Sequence, residues 1–262
     1  GFVLLGVLPL RVDPFAGLVT ASVVFALGSG LMEVLVSPIV EACPTKRKSA
    51  AMSLLHSFYS WGVAGVILLS TAFFALFGIR NWPVLACLWG VVPAVDLLLF
   101  LVVPIRSVEE TGEKAPARRL FRSGKFWIMM LLMLCAGACE QSVSQWASAF
   151  AEAGLGVTKA VGDLAGPCAF ALLMGVSRVF YAKNSERISL LPFMTLSGVL
   201  CLVSYLMASL ATAPVVGLLG CALCGLSVGV LWPGTFSLSA ADLKGGTAMF
   251  ALLALAGDLG CG

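Results

Sequence analysis

Charge is scarce in this chain. Asp, Glu, Lys and Arg make up 11% of it while hydrophobic residues reach 60%, against about 25% and 45–50% in soluble domains. That balance excludes a soluble globular enzyme and points to an integral membrane protein. Histidine is scarcer still: His56 stands alone, which excludes a two-His zinc protease motif within the chain. The alternating pattern of a membrane β-barrel is absent, so helices must satisfy the backbone inside lipid. The nine cysteines are scattered and read as small packing residues rather than disulfides. The "CALC" at 221–224 has the spacing of half a metal site, but no second Cys pair or nearby His completes it. No metal or organic cofactor is expected.

What the chain has instead is apolar runs long enough to cross a bilayer, which takes about 20 helical residues. They fall at 17–40, 51–77, 83–105, 126–150, 160–181, 188–210 and 214–236, with further apolar runs at 1–10 and 247–262. Because both ends lie inside such runs, the expectation is a fragment of a longer all-α membrane protein. Basic residues set the orientation. The loops after 17–40, 83–105, 160–181 and 214–236 take 13 of the 16 Lys and Arg, among them Lys46, Arg47, Lys48, Arg178, Lys183, Arg187 and Lys244. Those loops are assigned to the cytoplasm, and the net charge of +3 reflects this bias rather than a nucleic-acid partner.

The longest connection, "RSVEETGEKAPARRLFRSGK" at 106–125, reads as a cytoplasmic linker between two helical bundles, 1–105 and 126–262. An offset of 195 residues pairs Gly30 with Gly225, Pro38 with Pro233, Gly62 with Gly257 and Gly65 with Gly260. Parallel repeats joined by such a linker are one construction plan of secondary transporters.

Within the spans, polar residues gather on faces. At about 100° per residue, Glu140, Gln141, Ser144, Gln145 and Ser148 occupy an arc of about 140° on 126–150. Ser53, His56, Ser57 and Ser60 occupy an arc of about 100° on 51–77, with Trp61 at its edge. Glu33 lies deep in 17–40, whereas Glu41 sits beside the basic loop as an interfacial residue. Asp258 lies about 18 Å from the cytoplasmic end of its helix. An ionised carboxylate at a helix centre costs about 2.5–3.5 kcal/mol on insertion scales, so a shared aqueous cavity is the economical explanation. Amides, acids and indoles suit a sugar, whose rim needs hydrogen bonds and whose C–H face needs a flat apolar surface. Glu140, Gln141, Gln145, Trp61, Trp232 and Asp258 are the candidate solute contacts. Proton coupling needs a group that gains and loses a proton with its surroundings; Glu33, Glu140 and His56 are the candidates. Cys221, Gly225 and Gly229, spaced four apart, mark a close helix contact.

The runs "GSGLMEVLVSPIVEACPTKRKSAAMSLLHSFYSWG" (28–62) and "LWPGTFSLSAADLKGGTAMFALLALAGDLG" (231–260), with the basic central loop, are similar to the major facilitator superfamily. The resemblance is to its fucose-permease-like sugar/proton symporter branch in particular. It implies two pseudo-symmetric six-helix bundles, here truncated at both ends to spans 3 to 11, enclosing a central cavity with alternating access. It further implies a monomeric multi-pass protein of a bacterial cytoplasmic (inner) membrane whose partners are a small polar solute and the bilayer. In that branch an acid in span 4 carries the coupling proton, the position of Glu33; sodium is the alternative coupling ion. The family's gating-loop motif matches "GVSRVFYAKNSERI" (175–188) at Gly175, Arg178, Lys183 and Arg187, but Val179 replaces its Asp. The Gly-Pro-Gly-Gly pattern of many drug/proton antiporters is missing from "SWGVAGVILLS" (60–70).

Two other readings remain in view. A drug or metabolite/proton antiporter would share the fold. An intramembrane serine protease is suggested by "GLSVG" at 225–229, a Gly-x-Ser-x-Gly match centred on Ser227, although the one His is far away in the other predicted bundle.

Overall fold

A computed structural model describes residues 1–104, 117–243 and 245–262. Most of the expected linker, 105–116, and Lys244 lie outside the described residues.

Among the described residues every regular element is helical. Helix α1 (Phe2–Val7) leads through a short 3₁₀ turn to α2 (Pro14–Ala42). There Asp13 accepts a bond from the Ala16 amide at 2.9 Å and Pro14 fills the first position, where a missing N–H loses nothing. Helix α3 (Lys48–Phe77) stops at Gly78, whose φ of 78° only glycine adopts readily. Helices α4 (Trp82–Trp89) and α5 (Val91–Val102) form one membrane-length segment broken at Gly90. A short α6 (Ala117–Phe121) precedes the long α7 (Gly124–Leu155).

Next come α8 (Lys159–Asp163), a wide turn at Leu164–Cys168 around Pro167, and α9 (Ala169–Asn184), together one crossing. Helix α10 (Leu190–Leu210) follows, then α11 (Pro214–Val228) and α12 (Leu231–Asp242), again one crossing, and α13 (Gly246–Cys261). Among the described residues seven segments are long and apolar enough to span a membrane. Each coincides with a run expected from the sequence.

Burial is inverted relative to a soluble protein. Leu97, Leu98, Leu101 and Val102 on α5 are exposed, while Ser53, Ser57, Ser60, Ser204 and Arg178 are almost fully covered. Lipid solvates the former and cannot solvate the latter.

The first helices meet the later ones along two seams. Helix α3 runs along α9 and the end of α12, and α2 packs on α13. Within the later group, α7 lies on α13 and α11 on both α9 and α10. The expected close contact at Gly225 is present: a Cβ there would sit 2.2 Å from the Phe170 carbonyl of α9. Its partner in the internal offset, Gly30, faces open space, so the paired glycines do not share a packing role.

Candidate functional site

The centre of the structure is Arg178. The sequence reading puts it in a cytoplasmic loop with Gly175 and Lys183; all three are instead in helix α9, and of that motif only Arg187 lies beyond the helix. Arg178 is 1% exposed. A guanidinium stays charged under all ordinary conditions, so it enters a helical core only if acceptors meet it. Four do. Nε donates to the Gly229 carbonyl at 2.7 Å, Nη1 to the His56 carbonyl and to Ser60 Oγ at 2.8 Å each, and Nη2 to Glu140 Oε2 at 3.1 Å. The Tyr59 ring centroid lies 5.8 Å from its Cζ.

One of these acceptors exists because of a proline. In an unbroken helix the Gly229 carbonyl would take the N–H of residue 233, but that residue is Pro233, which has none. The chain breaks between α11 and α12 at this point, and an unfilled carbonyl in a membrane interior is costly. Arg178 fills it.

Glu140 answers for the remaining charge. Its side chain is 12% exposed, and the pair is sealed on most sides. Removing one partner from a buried pair typically costs 3–5 kcal/mol, because a charge is left stranded. Around Glu140, close enough for charges to act on one another, lie Glu33 of α2, Tyr59 of α3, and Cys261 of α13; Glu33 also feels Asp258 of α13. Acids from three helices on both sides of the seam therefore share one neighbourhood.

The other candidates divide. His56 is half-buried, its Nε2 3.4 Å from Ser37 Oγ of α2 and its ring stacked on Phe236 of α12, centroids 5.7 Å apart. It touches two other helices by side chain and a third, α9, through its carbonyl. Gln141 is half-buried and Gln145 exposed. Ser148, on the same face, belongs to a different cluster at the outer end of α7. Its Oγ lies 2.5 Å from Asp163 Oδ1 and 3.2 Å from Glu152 Oε1, with Lys159 3.1 Å from Asp163. The single wet face expected on α7 is thus two sites, one central and one near the outer surface.

Trp61 is partly exposed and lies on Gly175, where a Cβ would be 2.9 Å from its ring. Gly175 is accordingly a packing position on α9 rather than part of a loop. Trp232 is buried with Met52, Phe126 and Phe236, its ring against Gly257. Ser227 is buried and donates to the Cys224 carbonyl of its own helix, far from the exposed, base-assisted setting that nucleophilic catalysis needs.

At the level of the basic α2–α3 loop the two groups are fastened again. Arg47, in the α2–α3 loop, donates through Nη2 to the Ala182 carbonyl and Ser185 Oγ at 3.0 Å each, and its Nε lies 3.3 Å from Glu186. Tyr181 Oη is 3.2 Å from Ser49 Oγ. A cleft of about 370 Å³, lined by Lys46, Arg47, Ser185, Glu186 and Ser237 among others, opens beside these contacts. It lies at the level of the basic loop, not at that of Glu140. Lys48 turns away to cap α2, its Nζ contacting the Glu41 and Cys43 carbonyls.

Arg178 is the functional residue that sequence reasoning misplaced, and Tyr59 the one it passed over. The signal for Arg178 was available: it is the only Lys or Arg inside any of the apolar runs.

The family model of the Major Facilitator Superfamily matches residues 1–262. A crystal structure of a variant of the E. coli fucose:proton symporter superposes with a TM-score of 0.78 at 15% identity, covering 99% of this chain and 72% of that one. No curated protein matches in sequence.

Proposed function

The chain belongs to the Major Facilitator Superfamily, so it is a multi-pass membrane transporter and not an enzyme, and from that premise we propose that it moves a small polar solute, most simply a sugar, together with a proton. The carrying observation is that Glu33 of α2, half-buried, and Glu140 of α7, buried, lie on helices that both pack against α13 across the seam between the two helix groups, with Asp258 of α13 exposed beside them. Carboxyl groups crowded in a membrane interior cannot all be ionised at little cost. A site of that kind holds a proton in one conformation and releases it when water or a cation reaches it. The likeness of fold to a fucose:proton symporter supports the same reading.

Glu33 is the proposed proton carrier. It is half-buried, among the described residues no cation pairs with it as Arg178 does with Glu140, and it sits on the side of the seam opposite Asp258. Gln141, with Glu140, supplies acceptors and donors for hydroxyl groups. The seam residues around Arg178 and the cytoplasmic contacts of Arg47 close the path in this conformation. Alternating access requires the two groups to part at one level while they stay joined at the other.

The test is uptake by proteoliposomes containing the full-length protein, with an imposed proton gradient and a panel of labelled monosaccharides. Gradient-dependent accumulation is expected, together with loss of accumulation but retention of solute exchange in Glu33→Gln. Accumulation that ignores collapse of the gradient, or follows sodium instead, overturns proton symport; a Glu33→Gln variant that still concentrates solute removes Glu33 as the carrier.

A further inference from the structure

The transport reading leaves open which acid does what, and Arg178 separates them. Resting on that reading, we propose that Arg178 is a positioning residue that holds Glu140 as a fixed, ionised hydrogen-bond acceptor for the solute, leaving the coupling proton to be carried elsewhere.

Three observations converge. First, the guanidinium is committed: it makes four bonds to α3, α7 and the α11–α12 break while 1% exposed. It has no room to swing away when Glu140 changes state. Second, only one of its partners carries charge. The Gly229 and His56 carbonyls and the Ser60 hydroxyl are neutral, so protonating Glu140 would strand a cation in the core. Third, the bond uses Glu140 Oε2, while the side chain keeps 12% exposure. Its other oxygen is thereby left to accept from a ligand hydroxyl, with Arg178 fixing the direction in which it points.

Glu33 from α2 and Tyr59 from α3 lie within the field of Glu140, as does Cys261 from α13, and Asp258 is in the field of Glu33. His56 offers Arg178 its carbonyl, not its ring. None but Arg178 is a cation, so the division of roles depends on that one side chain. Glu33 and Asp258, which share no such partner, are where a proton can come and go without stranding a charge.

Arg178 also sorts its own bonds by helix group. Glu140 and Gly229 belong to the later helices with Arg178 itself, while His56 and Ser60 belong to α3. When the groups part at this level, the first two bonds persist and Glu140 keeps its orientation. A polyhydroxylated solute entering the opening then donates a hydroxyl to the Glu140 oxygen that Arg178 leaves free.

The experiment has a solute-free arm and a solute arm, both on the full-length protein. Infrared difference spectra between mildly acidic and mildly basic buffer report carboxyl protonation. The protonated-carboxyl band is expected to survive in Glu140→Gln and to shrink in Glu33→Gln; its disappearance in Glu140→Gln overturns the proposal. Exchange of labelled L-fucose and a panel of aldoses, which needs no gradient, reads solute affinity. Arg178→Lys keeps the charge but cannot span all four acceptors. It is expected to raise the exchange KM about tenfold or more, as loss of an oriented charged hydrogen bond does. The double variant Arg178→Gln/Glu140→Gln, neutral throughout, is expected to show the same loss while still taking up protons in the infrared arm. Wild-type exchange KM in Arg178→Lys reduces Arg178 to a structural role and overturns the proposal, whether or not the double variant folds. If exchange behaves as expected but a proton gradient fails to drive accumulation in wild type, symport fails while the Arg178–Glu140 assignment stands.

Discussion

Two arginines fasten the α2–α3 side of the molecule to α9, and they do it in different media. Arg178 bonds two helix carbonyls, a serine hydroxyl and a carboxylate at 1% exposure. Arg47 bonds a helix carbonyl, a serine hydroxyl and a carboxylate with side chains 43% and 70% exposed across the ion pair. The acceptors are nearly the same set. What differs is whether water stands ready to replace them. In the interior nothing can substitute for Glu140, so the pair is committed; at the exposed α2–α3 loop water and salt compete for every contact. A transporter whose two groups must part needs junctions of both kinds, one that defines the site and one that releases easily.

The largest effect separating them is expected from Arg178→Gln, which strands Glu140 and empties the Gly229 carbonyl. About 3–5 kcal/mol of stability should be lost, seen as a large fall in the thermal midpoint of the purified protein in detergent. Adding Glu140→Gln to the same chain should recover much of it. If the double variant is no more stable than Arg178→Gln alone, the charge is not what the interior junction depends on.

Next in size is the packing that holds α9 against α11. Gly225→Val places a Cβ 2.2 Å from the Phe170 carbonyl, and neither backbone can yield without moving a helix. About 1–3 kcal/mol is expected, with Arg178 drawn away from Gly229 as the helices separate. The equivalent change at Gly30, which faces open space, should be nearly silent in the same thermal assay. Equal effects at the two sites would break the distinction between packed and open glycines.

The fold was legible because lipid leaves few options. Every membrane-length segment coincides with an apolar run, and even the crossing interrupted at Gly229 and Val230 reads as continuous, since Pro233 breaks hydrogen bonding without breaking hydropathy. The site was legible in part. Helical arithmetic placed Glu140 and the Ser53–Ser60 face inward, where the structure has them. It failed for Ser148, because a shared face says nothing of depth, and Ser148 is held by Asp163 at the outer end. It failed for Arg178 because basic residues near a cytoplasmic boundary are ordinarily counted as loop. A carboxylate in a span demands compensation, and the one basic residue inside an apolar run was its natural partner. That pairing follows from charge balance alone, but it joins residues 38 apart in sequence on helices whose adjacency only the fold reveals.

A smaller effect tests why Arg178 reaches Gly229 at all. Pro233→Ala restores an N–H that can close the helical bond to the Gly229 carbonyl, so that Arg178 no longer fills an orphan there. In that background Arg178→Gln should cost about 1 kcal/mol less than in the native chain, the worth of one hydrogen bond. A double-mutant cycle on thermal stability measures it. Strict additivity would mean the Gly229 bond contributes nothing and that Glu140 alone holds the guanidinium.

The smallest effect belongs to the Arg47 junction. Glu186→Gln removes the ion pair with Arg47 but leaves the Arg47 bonds to the Ala182 carbonyl and Ser185, which cap the C-terminal end of α9 where a cation is favoured. An exposed pair of this kind contributes less than about 1 kcal/mol, and at about 1 M salt the screening length falls to about 3 Å, shorter than the 3.3 Å pair itself. The thermal midpoint of Glu186→Gln should therefore lie slightly below wild type in low salt and coincide with it in high salt, whereas the deficit of Arg178→Gln should persist in both. If salt leaves the Glu186→Gln deficit unchanged, the Arg47 contact is shielded like the interior one, and the two junctions are not the opposites that their exposure makes them.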